Sequence, residues 1–279
     1  MPRLPRFLHP AVASVTAFIF FLILKRERTA VTGNLRRVSG KGGLALRWKV
    51  YRVFYSFCDL MASYCYLPQA TRSQLLDMLV HSEGADAKIK ECLAAGNGLI
   101  VWTAHLGNWE FASRLLSMYG HVNVARVVEE NPAEIELRKL MSSERIKTVD
   151  LKQGVPATLE LLGALRQNGI VAIQGDRVYQ RRTVEVSFFS QPTSFPLGPF
   201  LLSQVSGAPV LPAFVIRRSW LRYQVVMGDP IPPVAPPVNR GDDEADLQEA
   251  MHQAVRALET TLTTHYDQWV NFFDFWPIQ

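Results

Sequence analysis

Cysteine is scarce in this chain. Its 279 residues include three, Cys58, Cys65 and Cys92, an odd number with no metal-ligand spacing. That argues against a disulfide framework or a zinc site and suits buried thiols in a reducing compartment. No Gly-x-Ser-x-Gly elbow, Gly-x-x-x-x-Gly-Lys-Ser/Thr loop or His-Glu-x-x-His pair occurs, which disfavours a serine lipase, a P-loop kinase and a zinc peptidase in turn. No small-x-small site follows the first apolar run, and the basic residues lie on its far side, so a cleaved signal peptide is disfavoured as well. Internal repeats are not evident.

Almost half of the residues, 48%, are hydrophobic, enough for a sizeable core. The formal charge of +5 is modestly basic, and the basic residues crowd beside the hydrophobic N-terminus, which fits an anionic membrane better than nucleic acid. Residues 8–24, with Phe18, Ile19, Phe20, Phe21, Leu22, Ile23 and Leu24, lie at the short edge of what spans a bilayer. Lys25, Arg26, Arg28, Arg36 and Arg37 follow, so a spanning segment would leave the remainder in the cytoplasm. The expectation is an anchor that spans or lies on the membrane, with a buried core helix as the competing reading. Residues 44–67 read as a second, aromatic-rich helix that packs under the following domain or sits at the interface, after a break at Gly40-Lys41-Gly42-Gly43. The division expected is an N-terminal helical region, residues 1–69, and a catalytic domain, residues 70–279.

From residue 70 onward helix and strand signals alternate. Helices are expected at 71–80, 85–95, 109–119, 133–145, 156–167 and 198–206, and strands at 98–104, 122–128, 147–151, 169–174, 183–189, 209–217 and 221–227. This pattern predicts an α/β fold, a mixed, largely parallel sheet flanked by helices. Sites in such sheets lie beyond the carboxyl ends of strands, where His105, Glu129 and Asp176 emerge. A proline-rich strap over 229–237 leads to a terminal helix carrying Leu247, Met251, Ala254, Val255, Leu258 and Leu262 at helical spacing, with Asp242-Asp243-Glu244 at its start.

The stretch Val101-Trp102-Thr103-Ala104-His105-Leu106-Gly107-Asn108-Trp109-Glu110 is where the chemistry is expected. An apolar strand ends at His105, Asn108 is a helix N-cap, and Glu110 falls in the first helical turn, from which its carboxylate can turn back to the imidazole. Such a pair deprotonates an attacking hydroxyl: the histidine takes the proton, and the carboxylate fixes its tautomer and stabilises the imidazolium. The alternative is a loop-capping histidine and a glutamate favoured by the helix dipole alone.

The string His105-Leu106-Gly107-Asn108-Trp109-Glu110 resembles the His-x4-Asp/Glu block of the lysophospholipid acyltransferase superfamily, in the form typical of bacterial lipid A secondary acyltransferases. Gly175-Asp176-Arg177, Pro192-Thr193 through Pro196-x-Gly198-Pro199, and Ser206 to Pro212 resemble later blocks of that family, in the same order. The resemblance implies a membrane-associated acyltransferase with His105 as general base and Glu110 as its partner. It further implies a substrate-binding set of Asn108, Arg126, Gly175, Asp176 and Arg177. Arg181 and Arg182 just beyond are placed to meet a phosphate on the lipid or on the phosphopantetheine of a carrier, with a solvated basic loop as the alternative. The expected co-substrate is an acyl carrier protein or coenzyme A thioester, with no bound cofactor and no metal. The expected partners are a lipid acceptor and inner-membrane lipids, not nucleic acid, and the expected location is the cytoplasmic face of a bacterial inner membrane.

Two departures bear on the acceptor. Phe195-Pro196-Leu197-Gly198 lacks the glutamate of the glycerophospholipid acyltransferase Phe-Pro-Glu-Gly block, which favours the lipid A branch. Where lipid A enzymes tend to end in a tryptophan followed by paired arginines, this chain has Trp269 followed by Val270, Asn271, Phe272, Phe273 and Asp274. A phosphate-poor acceptor, or an amino acid, aminolipid or polyene-type lipid, therefore competes with lipid A. The rival activities are a thioesterase or lipid hydrolase using the same residues on water, and a membrane-tethered lipid-binding protein in which they are structural.

Overall fold

Buried β-branched and apolar runs supply the strands, and amphipathic runs between them supply the covering helices. The computed structural model describes residues 8–82, 84–128, 131–179, 182–236 and 244–276. Its helices are α1 (His9–Ile23), α2 (Lys25–Ser39), α3 (Gly43–Ser63), α4 (Arg72–Met78), α5 (Ala85–Ala94), α6 (Trp109–Leu116), α7 (Pro132–Met141), α8 (Val155–Arg166), α9 (Gly198–Ser206) and α10 (Glu244–His265). The strands are β1 (Leu79–His81), β2 (Leu99–Thr103), β3 (Val122–Arg126), β4 (Ile146–Asp150), β5 (Ile170–Gln174), β6 (Thr183–Phe188), β7 (Gln191–Pro196), β8 (Val210–Ser219) and β9 (Arg222–Met227).

Seven strands form one sheet in the order β1-β9-β8-β2-β5-β3-β4, and β6 with β7 makes a separate antiparallel hairpin. β8, β2, β5, β3 and β4 run parallel, while β9 returns antiparallel to β8 and pairs in parallel with β1. This is the expected α/β class. All five residues of β2 are buried because helices cover both of its faces, the usual condition of a central parallel strand. α6 runs antiparallel to the strands beside it, so its first turn lies at their carboxyl ends and the turn after it, at Tyr119, lies near the start of β3.

Two short strands were not read from the sequence. β1 takes the end of a segment expected to be helical, and β7 occupies the Pro192–Pro196 stretch, where it pairs with β6 as a peripheral hairpin that tolerates both prolines.

The N-terminus is three helices, not one anchor followed by a second helix. α1 ends at Leu24, whose backbone leaves the helical region (φ −85°, ψ 72°), and α2 continues at a bend of 97°. The Arg28 guanidinium turns back to donate to the carbonyls of Phe21 and Leu22, occupying C-terminal acceptors that the broken helix leaves free. No single described helix is long and apolar enough to cross a membrane, although α1 and α2 together pass on length and composition. α1 buries Ala13, Ala17 and Phe21, and Phe21 packs edge-on against Tyr51 and Phe54 of α3. Its opposite side leaves Val12, Val15, Phe18, Ile19, Leu22 and Ile23 exposed, beside exposed Leu44 and Trp48.

Past the terminal helix α10, the segment from Trp269 to Trp276 folds back between α2, α3 and the sheet. Asn34 of α2 donates to the carbonyls of Asn271 and Phe273 and accepts from the Phe275 amide, while Phe272 packs on Phe54 and Phe57. Asp267, just before that segment, is held by Lys49 and Arg52 at 2.8 and 2.9 Å.

Candidate active site

The loop between β2 and α6 is held on both sides. The Gly107 amide donates to the Gln268 carbonyl, the Asn108 amide to the Val215 carbonyl, and the Val270 amide to the His105 carbonyl at 2.7 Å. This close passage requires glycine at 107: its φ is +67°, and a Cβ there would stand 1.9 Å from the Val215 carbonyl oxygen. Asn108 then caps α6, its Oδ1 accepting from the Phe111 amide at 2.9 Å, as its place in the sequence predicts. Its other amide atom donates to the Tyr223 hydroxyl. With both ends of the side chain bonded inside the protein, Asn108 holds the loop in place.

His105 is 9% exposed, enclosed yet within reach of a substrate. Its Nδ1 lies 2.7 Å from Oδ1 of Asp176, and its backbone amide donates to Oδ2 of the same carboxylate at 3.0 Å. A carboxylate can only accept here, so the bond places the ring proton on Nδ1 and leaves Nε2 with a free lone pair. Asp176 also accepts from the Trp269 indole at 3.0 Å and the Asn271 amide at 3.3 Å. Burial alone would raise its pKa, but His105, Arg177 and the Trp269 bond outweigh that and hold the carboxyl well below the usual carboxylate range. Burial pushes the His105 imidazole below its ordinary value against the pull of Asp176, with Arg177 and Arg126 acting in the same direction as burial. The resting pair is therefore a neutral histidine beside an ionised aspartate.

The partner expected for His105 was Glu110. In the structure the Glu110 carboxylate is buried elsewhere, accepting from the Tyr64 hydroxyl at 2.8 Å and from Nη2 of Arg126 at 3.2 Å. The physical reason is local: Asn108 fixes the first turn of α6, and Glu110 within that turn reaches Arg126 of β3 and Tyr64 just beyond α3, whereas the strand end at Gly175 delivers Asp176 to the imidazole. Gly175 makes this possible because a Cβ there would lie 1.9 Å from Nε1 of Trp102. Arg126 pairs with Glu110; Glu129 and Glu130, the acidic residues after β3, lie outside the described residues.

Arg177 stands behind Asp176. Its Nε donates to Oδ1 of Asn271 at 3.0 Å, its Nη2 to the Val270 carbonyl at 2.8 Å, and its guanidinium lies over the Phe273 ring. Asn271 thus fills, with a neutral amide, the segment where paired arginines were expected, and it faces the dyad. Arg182 is exposed, and Arg181 lies outside the described residues.

Two apolar cavities approach these strand ends from opposite faces of the sheet. One, of about 200 Å³, lies under α6 and is floored by Val101, Val124 and Ala172, with Thr103, Arg126 and Gln174 at the strand-end side; Trp109, whose ring meets that of His105 at 5.4 Å, also lines it. The other, of about 230 Å³, lies between α8 and α9 and reaches Gln174 and Arg177. A fatty chain is the chemistry that an enclosed carbon-lined space beside a polar rim accommodates. Among the described residues no cluster of histidine, cysteine, aspartate or glutamate suits a metal ion.

Sequence reasoning placed His105, Asp176 and Arg177 in the site but missed Tyr64, Gln174, Asn271 and the Asp176 bond of Trp269. Gln174, directly before Gly175 at a strand exit, carried a readable signal; Tyr64, the residue just after α3, follows an aromatic-rich run with nothing to distinguish it from its neighbours.

Comparison with known proteins gives a match over residues 2–276 to a family described as bacterial lipid A biosynthesis acyltransferase. Over 150 residues the chain is 31% identical to a phosphatidylinositol mannoside acyltransferase of Mycobacterium tuberculosis, covering 52% of this chain and 47% of that protein. A protein of the same name from Mycolicibacterium smegmatis is 28% identical over 123 residues, 43% of this chain and 40% of that one. The chain thus matches about half the length, or less, of these curated relatives.

Proposed function

Since the chain belongs to the bacterial lipid A biosynthesis acyltransferase family, we propose that it transfers a fatty acyl group from an acyl carrier protein or coenzyme A thioester to a hydroxyl of a lipid acceptor. The observation that carries this reading is the buried His105–Asp176 pair, with Nε2 free, next to a carbon-lined cavity. In this reading the acceptor hydroxyl loses its proton to Nε2 as its oxygen attacks the thioester carbon. The C–S bond then breaks, and the departing thiolate takes the proton back from the imidazolium. No covalent enzyme intermediate is required, because the thioester is already activated and positioning supplies much of the rate. Asp176 stabilises the imidazolium, and Glu110 acts by fixing Arg126.

For the acceptor we favour a glycolipid carrying little phosphate near the dyad. Asn271 occupies the inward position of the C-terminal segment, and Arg177 already spends two of its donors on Asn271 and Val270. The relatives named for phosphatidylinositol mannoside are in keeping with a glycolipid.

Docking to the inner face of the membrane is assigned to the exposed apolar side of α1 with Leu44 and Trp48, flanked by Arg26, Arg36 and Arg47. Such a face suits immersion in the interface plane. The domain division expected from the sequence is kept in this sense: residues 1–69 dock and residues 70–279 carry the chemistry.

The test is a side-by-side transfer assay in which acyl carrier protein and coenzyme A thioesters are offered with a phosphorylated glycolipid and with its dephosphorylated counterpart. Transfer to a hydroxyl, lost in a folded His105→Ala protein, is expected. Fatty acid released regardless of acceptor would replace the transferase with a hydrolase, and near-normal turnover by His105→Ala would remove the mechanism. A strong preference for the phosphorylated acceptor would overturn the acceptor assignment.

A further inference from the structure

We propose that the side-chain amide of Gln174 is the hydrogen-bond donor to the carbonyl oxygen of the acyl thioester, and that it holds the oxyanion formed when the acceptor attacks. The inference rests on the acyl-transfer reading above and adds a catalytic residue to it.

Strand register aligns three polar side chains. β2 and β5 pair in parallel with Thr103 opposite Gln174, and β5 and β3 pair up to Ile173 opposite Ala125, so Gln174 and Arg126 are the next neighbours. Side chains at matched positions of parallel strands point to the same face. Thr103, Gln174 and Arg126 therefore stand in one row across three strand ends, and all three line the cavity under α6. One step down each strand, two residues earlier, the same face carries Val101, Ala172 and Val124, and these line it too. On the strands that floor it, the cavity thus has a polar course at the strand-end side and carbon one step below.

Within that course, Nε2 of Gln174 is buried and has no hydrogen-bond partner, and neither has Nε of Arg126. Buried donors are nearly always bonded, because an unmade bond forfeits the water the group gave up. Arg126 is otherwise committed through Nη2 to Glu110, which leaves the Gln174 amide as the neutral donor of the row that is buried without a partner. A fatty acyl thioester lying with its chain over Val101, Ala172 and Val124 has one strong acceptor at the head of that chain, its carbonyl oxygen. Placed at the row, this oxygen satisfies Nε2 and puts the carbonyl carbon near the loop that carries His105.

The chemical step balances. The acceptor oxygen forms a bond to the carbonyl carbon and its proton goes to Nε2 of His105, while the carbonyl π pair moves to the oxygen facing Gln174. When that pair returns, the C–S bond breaks and the thiolate accepts the proton from His105. A donor aimed at the developing charge acts mainly on the rate constant, not on ground-state binding.

The experiment uses the full chain with Gln174→Met, which keeps the length of the side chain but removes the donor, and with Gln174→Glu, which keeps the shape and offers an acceptor. Expected is a loss in kcat of about a hundredfold to a thousandfold with KM changed only a few-fold. Isotope-edited infrared spectra of bound acyl-coenzyme A labelled at the carbonyl, taken without acceptor, are expected to show the stretch lowered in the wild type and restored toward its solution frequency in Gln174→Met. If Gln174→Met does not fold, the Gln174→Glu kinetics decide. Unchanged kcat in a folded variant, or a carbonyl frequency indifferent to residue 174, overturns the proposal while leaving acyl transfer standing. A wild type that binds the thioester with a Gln174-dependent shift yet transfers nothing overturns the acyl-transfer reading instead and keeps the contact.

Discussion

His105 draws its carboxylate from Asp176, 71 residues along the chain, while Glu110 on the neighbouring helix serves Arg126. The two acids should therefore fail differently. Asp176→Asn removes the charge that stabilises the imidazolium and disturbs the ring tautomer, and is expected to cost about a hundredfold to ten-thousandfold in kcat. Combining it with His105→Ala should add little, because the two act as one unit. Glu110→Gln leaves the dyad intact and unsettles Arg126, so its losses should add to those of Asp176→Asn. Steady-state kinetics of the single and double variants check this; equal additivity for both acids would refute the pairing.

The pH profile follows from the same pair. Burial sets the imidazole below its ordinary pKa, about 6.5, and the base must be neutral to act. The acid limb of kcat/KM should thus lie below about 6.5. Asp176 pulls the pKa upward, so residual activity in Asp176→Asn should show an acid limb moved further down. For stability the sign is the same: as pH falls, the unfolded chain takes up the proton before the native one does. The contribution of His105 is present above the unfolded pKa of about 6.5 and is lost on acidification toward the native pKa. Comparing the denaturation midpoint of wild type with His105→Ala across that interval tests it.

Two glycines fix the frame of the site, and both should resist alanine. Gly107→Ala meets a left-handed φ and the Val215 carbonyl, and Gly175→Ala meets the Trp102 indole. Each is expected to cost about 2–3 kcal/mol or more, by backbone strain and overpacking. Gly120, around which a Cβ finds nothing within 4 Å, is the control and should be near neutral. Urea titrations of the three variants give the answer.

These contrasts also mark what the sequence made readable. The α/β class was readable because its strands are short, β-branched and buried on both faces, and β2, α6 with its Asn108 cap, and α9 lie within a few residues of expectation. The family resemblance carried by residues 105–110 and 175–177 agrees with the match over most of the chain. What escaped was long-range. Which acid meets His105 depends on how two strand ends sit side by side, and periodicity along the chain is silent on that. The helix α2 escaped because its polar, arginine-rich surface hides a narrow buried stripe of Ala30, Val31 and Leu35.

Membrane attachment can be separated from folding. Deleting α1 would uncover Phe54 and Tyr51, so substitutions confined to its outer side are the cleaner probe. Phe18→Glu with Leu22→Glu should cut binding to anionic vesicles at high salt by at least tenfold, since each buried apolar side chain of this size contributes roughly 1.5–3 kcal/mol. Vesicle sedimentation at unchanged thermal stability is the measurement, and undiminished binding would move the docking face away from α1.

Asp176 receives four hydrogen bonds, two from His105 and two from Trp269 and Asn271. Two of the four come from the segment after α10, 93 and 95 residues beyond the aspartate, and that segment is itself held by Asn34 of α2. A cut ahead of Trp269 would therefore leave the strand ends whole while stripping half of the donors from the carboxylate.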